Sequence, residues 1–270
     1  MSEFRRVRAG GAVTAGTLEA NRAGQPKVVG RSEMSRRQSG FTLVEIAVVL
    51  VIIGLLLGGV LKGQELIASA RVRNLADQQS GIQAAYYGFI DRYRAVPGDM
   101  PQKDADNAMQ ATVNSGGDGN GKIDGGGTTI WTEANAAWEQ MSKAGFIKGS
   151  YEGSDSTPDS DTAPTNVFNG IVVLGRDTAY TDNGGSTPPV RLVLHMGRNV
   201  PADIARELDV KIDDGHPYTG TLRNAPPASG TSNYSTLGLS ADNCTKADSD
   251  GKQIWDIDTN VQDCNPTYLF

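Results

Sequence analysis

From Phe41 to Leu61 the chain runs for 21 residues with a single ionisable side chain, Glu45. An α-helix rises about 1.5 Å per residue, so this run is long enough to cross a hydrocarbon core of roughly 30 Å. A helix that is apolar on every side must lie in lipid or be covered by other apolar surface, and this requirement constrains the chain more than any other feature. Arg31, Arg36 and Arg37 precede the run and Lys62 follows it. The denser positive cluster predicts a cytoplasmic N-terminal side and export of the remainder. An ordinary secretory signal has a shorter apolar core with a small-residue cleavage site after it. Here Gly40 stands before the run, so cleavage at that point leaves the helix on the mature protein as an anchor or an assembly element.

Charge divides at the same place. Residues 1–40 carry eight Lys/Arg against three Asp/Glu, whereas residues 41–270 carry 17 against 28. The acidic body lacks the clustered Lys/Arg that phosphate backbones require, which argues against a nucleic-acid partner and leaves either a host for cations or a soluble, self-repelling surface. The 33 glycines and 6% aromatic content predict one modest domain with long loops. Cys244 and Cys264 are the two cysteines. In an oxidising compartment they read as one disulfide closing a short loop, worth on the order of 3 kcal/mol in the chain-entropy treatment. In the cytosol they read as free thiols, so the exported side decides between the two.

No proline occurs between Phe41 and Val96, and Leu66, Ala70, Leu75, Ile82, Ala85, Phe89 and Tyr93 recur at helical spacing. One helix from about residue 41 to 94 would be roughly 80 Å long. Val96-Pro97-Gly98-Asp99 ends it, because a residue before proline avoids helical geometry. Gly54 and Gly58 have the spacing that lets helices approach closely in lipid. The spacing then predicts a loop from Pro97 to Gly127 and a helix from Thr132 to Ala144, with Thr132 as N-cap and Ala137, Trp138, Met141 and Ala144 on one face. Ser150–Thr165 reads as a surface loop. Gly170–Gly175 and Val190–Met196 read as strands around an Asp-Asn-Gly-Gly turn, and Pro201–Leu208 as a short helix.

Two acidic segments are candidate calcium sites. Asp118, Asn120 and Asp124 match the first, third and seventh ligand positions of an EF-hand-type loop, but Lys122 occupies the fifth and no distal glutamate follows. Asp248, Asp250, Asp256 and Asp258 lie between the cysteines around a glycine turn, with a solvated acidic loop as the alternative. No cofactor is required by this reading; calcium is the one ion to which the sequence points, with a plain Gly-rich turn as the alternative reading of the first segment. His195 ends a strand and His216 lies in a turn, neither at metal-ligand spacing, and no G-x-S-x-G elbow or P-loop is present, so an enzyme is not expected.

The segment Arg36-Arg37-Gln38-Ser39-Gly40 followed by Phe41-Thr42-Leu43-Val44-Glu45 resembles the prepilin peptidase site of type IV pilins and type II secretion pseudopilins. The resemblance rests on a basic leader, a Gly-Phe junction, an acidic fifth mature residue and an uninterrupted apolar helix. It implies cleavage between Gly40 and Phe41 by a membrane aspartyl peptidase, N-methylation of Phe41, and pairing of Glu45 with the N-terminal amine of a neighbouring subunit. A carboxylate inside an apolar helix is costly and is usually retained for a partner, the other course being to reach headgroup level. Leaders in this family are commonly short. A start at Met34 would give a compact basic leader, so residues 1–33 are expected to be an upstream misassigned start or a disordered extension.

The resemblance further implies copies of the chain or related pilins, the prepilin peptidase and an inner-membrane assembly platform as partners, with membrane lipid holding the subunit before assembly. The disulfide-bounded C-terminal loop is similar to that of type IV pilins, and the acidic loop is similar to the calcium site of major pseudopilins. The expected fold is α+β: a long N-terminal helix, transmembrane in its first half and amphipathic in its second, packed on a small antiparallel sheet with long loops and a C-terminal disulfide loop. The expected divisions are a leader (1–40), an assembly helix (41–61), its amphipathic continuation (62–95) and an extracytoplasmic domain (96–270). The expected function is a structural subunit of a type IV pilus-like filament. The alternatives are a secretion pseudopilin, or a membrane-anchored periplasmic binding protein that never polymerises. The expected location is the inner membrane for the precursor, then an extracellular pilus or a periplasmic pseudopilus.

Overall fold

The computed structural model describes residues 40–126, 129–183, 188–226 and 243–270. The leader up to residue 39, with Arg31, Met34, Arg36 and Arg37, lies outside the described residues, as do Gly127 and the glycines of the Asp-Asn-Gly-Gly turn.

Helix α1 spans Leu43–Tyr93. It opens on Thr42, whose Oγ1 accepts the Glu45 N–H at 3.2 Å, so Thr42 caps the first turn from the position three residues before an acid. Every residue from Gly40 to Lys62 is exposed. Residues up to Ile52 form one unit and residues from Ile53 onward form another, which holds the folded domain.

Within the domain, burial on α1 begins at Val72 and continues through Leu75, Ala76, Gln79, Ile82, Ala85, Tyr86 and Phe89. Steps of three and four keep these side chains on one face. The predicted stripe is therefore correct from Leu75 to Phe89, with Tyr93 half-buried, while Leu66 and Ala70 are exposed. The stripe serves two cores. Ile82 to Phe89 pack with Trp138, Met141, Leu174 and Leu194. Val72, Leu75 and Ala76 pack with Met196, Leu208, Leu222, Trp255 and the two cysteines. The helix ends as Arg94 turns left-handed (φ 55°), followed by Pro97 and Gly98 at φ 88°. A side chain at Gly98 would collide with the Glu133 carbonyl, so the tight exit needs glycine.

Helix α2 (Gln102–Met109) interrupts the segment predicted as loop. Helix α3 (Trp131–Lys143) starts one residue earlier than predicted and has no side-chain N-cap. Thr132 Oγ1 instead accepts the Thr129 N–H and donates to Asp155 Oδ1 at 2.7 Å. Nor does α3 bury one face alone: every residue from Trp131 to Met141 is buried. The loops before and after it wrap the helix, and their backbone N–H groups meet its polar side chains.

Strands β1 (Val173–Asp177) and β2 (Arg191–His195) form an antiparallel pair; β1 is shifted towards the C-terminus of its expected span, while β2 lies within its expected span, one residue shorter at each end. Helix α4 (Ala202–Ile212) runs four residues beyond the predicted end. Strand β3 (Leu222–Asn224), the β4–β5 hairpin (Thr245–Ala247 and Gln253–Trp255) and strand β6 (Pro266–Leu269) complete the domain. The main sheet has the order β1-β2-β6-β3, so the C-terminal strand lies between two earlier ones. All its pairings are antiparallel. Cys244 and Cys264 form a disulfide with a Cα–Cα distance of 5.7 Å. The chain thus has the expected α+β fold, with the long helix packed on a small antiparallel sheet and the disulfide near the C-terminus.

Candidate functional site

The N-terminal site is built from Gly40, Phe41 and the first turn of α1. Gly40 and Phe41 precede the helix in open backbone, with Phe41 78% exposed, so the peptide bond between them is accessible. Glu45 is the third helical residue, where the free N–H groups of the helix start favour negative charge. Around it Leu43, Val44, Ile46, Val48 and Val49 are exposed. Fully burying one such side chain is worth roughly 1.5–3 kcal/mol, so the run from Phe41 to Leu61 presents a large unmet drive towards an apolar environment. This helix is long and apolar enough to cross a membrane, with a mean hydropathy of 2.8 over its most apolar window.

The glycine-rich loop of the first calcium candidate is held by acids that the sequence pattern did not indicate. Asp99 Oδ1 and Oδ2 accept the N–H groups of Asn120 and Gly121 at 2.9 and 2.8 Å. Glu133, fully buried in the first turn of α3, accepts those of Asp124 and Gly125 at 2.7 and 2.8 Å through Oε2. A Cβ at Gly117 or Gly126 would lie 2.5 Å from Glu133 Oε1, so the close approach of this loop to the carboxylate requires glycine at both positions. Asp99, Asp118 and Glu133 place one oxygen each within 4.8 Å of the others. Asn120 and Asp124 instead use their side chains on each other, with Asn120 Nδ2 donating to Asp124 Oδ1 at 3.3 Å. The glutamate absent from the loop's own sequence is therefore supplied from α3. Its oxygens already hold backbone donors, and they order the loop through hydrogen bonds.

The second candidate is more dispersed. Lys246 bridges Asp256, at 3.1 Å, and Asp258. Asp248 accepts the N–H groups of Asp250 and Lys252 within the β4–β5 turn, at 2.9 and 2.8 Å. At Asp256 burial opposes ionisation, but hydrogen bonds from Lys246, Thr259 and the Asp258 N–H hold its carboxyl below the usual range. Asp256 and Asp258 thus have a lysine as counter-ion, while Asp248 shapes the turn.

His195 is buried in the sheet, with Nδ1 2.9 Å from Thr267 Oγ1 and Nε2 3.9 Å from Asp177 Oδ2. All three residues are shielded from solvent on adjacent strands, where they link β1, β2 and β6. His216 lies beyond α4, with Nε2 2.8 Å from Lys252 Nζ.

Residues 35–61 match the family described as the prokaryotic N-terminal methylation motif, the signature of the prepilin-type segment of type IV pilins and pseudopilins. The match covers the end of the leader, the Gly40–Phe41 junction, Glu45 and the whole apolar run. No curated protein matches the chain.

Proposed function

We propose that the protein is a structural subunit of a type IV pilus-like filament, made as a prepilin cleaved after Gly40, N-methylated at Phe41 and polymerised through its N-terminal helix. The observation that carries this reading is the coincidence of the methylation motif with an apolar helix whose side chains from Phe41 to Leu61 are all exposed.

Before processing, the Phe41 nitrogen is an uncharged amide, and Glu45 has no positive partner at the helix start. Hydrolysis of the Gly40–Phe41 bond adds water, leaving a carboxylate on Gly40 and an amine on Phe41. That amine takes up a proton and keeps its charge after methylation. In lipid an unpaired carboxylate costs roughly several kcal/mol, so a neighbouring subunit that offers its ammonium group relieves the cost and sets the stagger between helices. The apolar surface that held the precursor in the inner membrane is then buried against other subunits. The domain, with its periplasmic disulfide, faces outward.

The partners of this reading are the prepilin peptidase, the inner-membrane assembly platform and other copies of the chain or related pilins. Its test is Glu45→Ala. Membrane insertion and cleavage should persist, while incorporation into filaments should fall below detection in sheared-surface and periplasmic fractions. Unchanged incorporation would refute the pairing. Recovery of wild-type protein only from short periplasmic assemblies would assign it to a secretion pseudopilus, and recovery only as a membrane-bound monomer would favour the anchored binding protein.

A further inference from the structure

Three carboxylates gather at the C-terminal end of α4. Asp209 lies in the last turn of the helix, Asp213 follows its end and Asp214 comes next, and one oxygen from each falls within 4.8 Å of the others. A helix C-terminus already carries partial negative charge from its free carbonyls and is normally matched with cations. Here the chain adds three acids.

Asp209 is 0% exposed. Its Oδ2 accepts the Trp255 indole N–H at 2.7 Å, whereas Oδ1 has no hydrogen-bond partner among the described residues. Buried carboxylate oxygens without donors are rare in folded proteins, and each calls for a proton, a water or an ion. The other two acids are held in place. Asp213 Oδ2 accepts the Thr221 N–H and, at 3.1 Å, the Leu222 N–H. Asp214 accepts the His216 N–H at 2.9 Å and the Thr219 hydroxyl at 2.6 Å.

We propose that Asp209, Asp213 and Asp214 form a site for a hard divalent cation, calcium by the chemistry of its donors. All three ligands are carboxylates, and calcium accepts roughly six to eight oxygens in irregular arrangements, whereas magnesium demands a near-ideal octahedron. Asp214 is exposed, so water completes the shell from that side. The ion supplies the missing partner of Asp209 Oδ1, offsets the negative helix end and fastens α4 to β5 through Trp255. This site is separate from both acidic segments singled out in the sequence.

The test uses the full-length protein in detergent micelles, stripped with EGTA. Equilibrium dialysis with radioactive calcium is compared for wild type, Asp214→Asn and Asp118→Asn. Asp214 is exposed, so its variant is expected to fold, and circular dichroism verifies this. Wild type should bind calcium, Asp214→Asn should bind it at least tenfold more weakly at one site, and Asp118→Asn should retain that site. No calcium bound at millimolar concentration, or equal binding in Asp214→Asn, would overturn the proposal.

Discussion

The indole Nε1 of Trp255 lies 2.7 Å from Oδ2 of Asp209, a hydrogen bond between two side chains that are both shut away from solvent. It joins the β4–β5 hairpin, which lies between the disulfide cysteines, to α4. Trp255 also packs in the same core as Val72 and Leu75 of α1, so this contact ties the C-terminal segment to the long helix. Trp255→Phe removes the donor while keeping an aromatic ring. It leaves a buried carboxylate with neither oxygen bonded to a side chain, at a cost of about 1–3 kcal/mol or more. Urea unfolding followed by the fluorescence of Trp131 and Trp138 should show a lower midpoint, and an unchanged midpoint would mean that the bond contributes nothing.

The same carboxyl makes stability depend on pH. Asp209 is raised from 3.8 to about 7 in the folded state, chiefly by burial. Between those values the folded protein holds a proton that the unfolded chain has released. Its contribution is therefore complete below the ordinary carboxylate value and is lost as pH rises through about 7. At Asp214 burial also opposes ionisation, but hydrogen bonds from Thr219 and the His216 N–H outweigh it and hold the carboxyl below its usual range. Asp256 is likewise lowered, so both of these acids act only under more acidic conditions. In EGTA the urea midpoint should fall between about pH 5 and pH 8, and Asp209→Asn should flatten that slope. An equal slope in the variant would remove Asp209 as its source.

Glu133 organises the glycine-rich loop through the N–H groups of Asp124 and Gly125. Glu133→Gln removes the charge and turns an amide NH₂ towards those donors. Hydrogen bonds to charged groups are worth about 1.5–3 kcal/mol each, so a loss of roughly 3 kcal/mol is expected. Hydrogen exchange should show the Asp124 and Gly125 amides losing protection before the rest of the domain. Full protection of both amides in the variant would contradict the role assigned to Glu133.

What was legible in the sequence follows from the range of each interaction. The run from Phe41 to Leu61 could be read because a spanning helix needs consecutive apolar residues, and Cys244 could be paired with Cys264 because there are two cysteines. The stripe on α1 could be read from helical spacing, but its start at Val72 could not, since the core formed by Met196, Leu208 and Trp255 sets that boundary. Helix α2 carries one buried residue, Ala105, and so shows no apolar period. The burial of Glu133, Glu139 and Gln140 depends on loops that wrap α3 from both sides. Gln140, for example, accepts the Gly98 N–H at 2.7 Å across 42 positions of sequence. The site of β6 between β2 and β3 is likewise long-range. Asp209 did leave a signal: it follows buried Ala205 by four residues, which puts an acid on the inward face of α4.

The most direct measurement is the mass of the N-terminal peptide of the protein isolated from its native membrane. If the Gly40–Phe41 junction works as its motif implies, that peptide begins with N-methylated Phe41, and in cells lacking the prepilin peptidase it retains the leader. A mature protein that keeps residues upstream of Phe41, or that begins beyond the apolar run, would contradict assembly through the N-terminal helix.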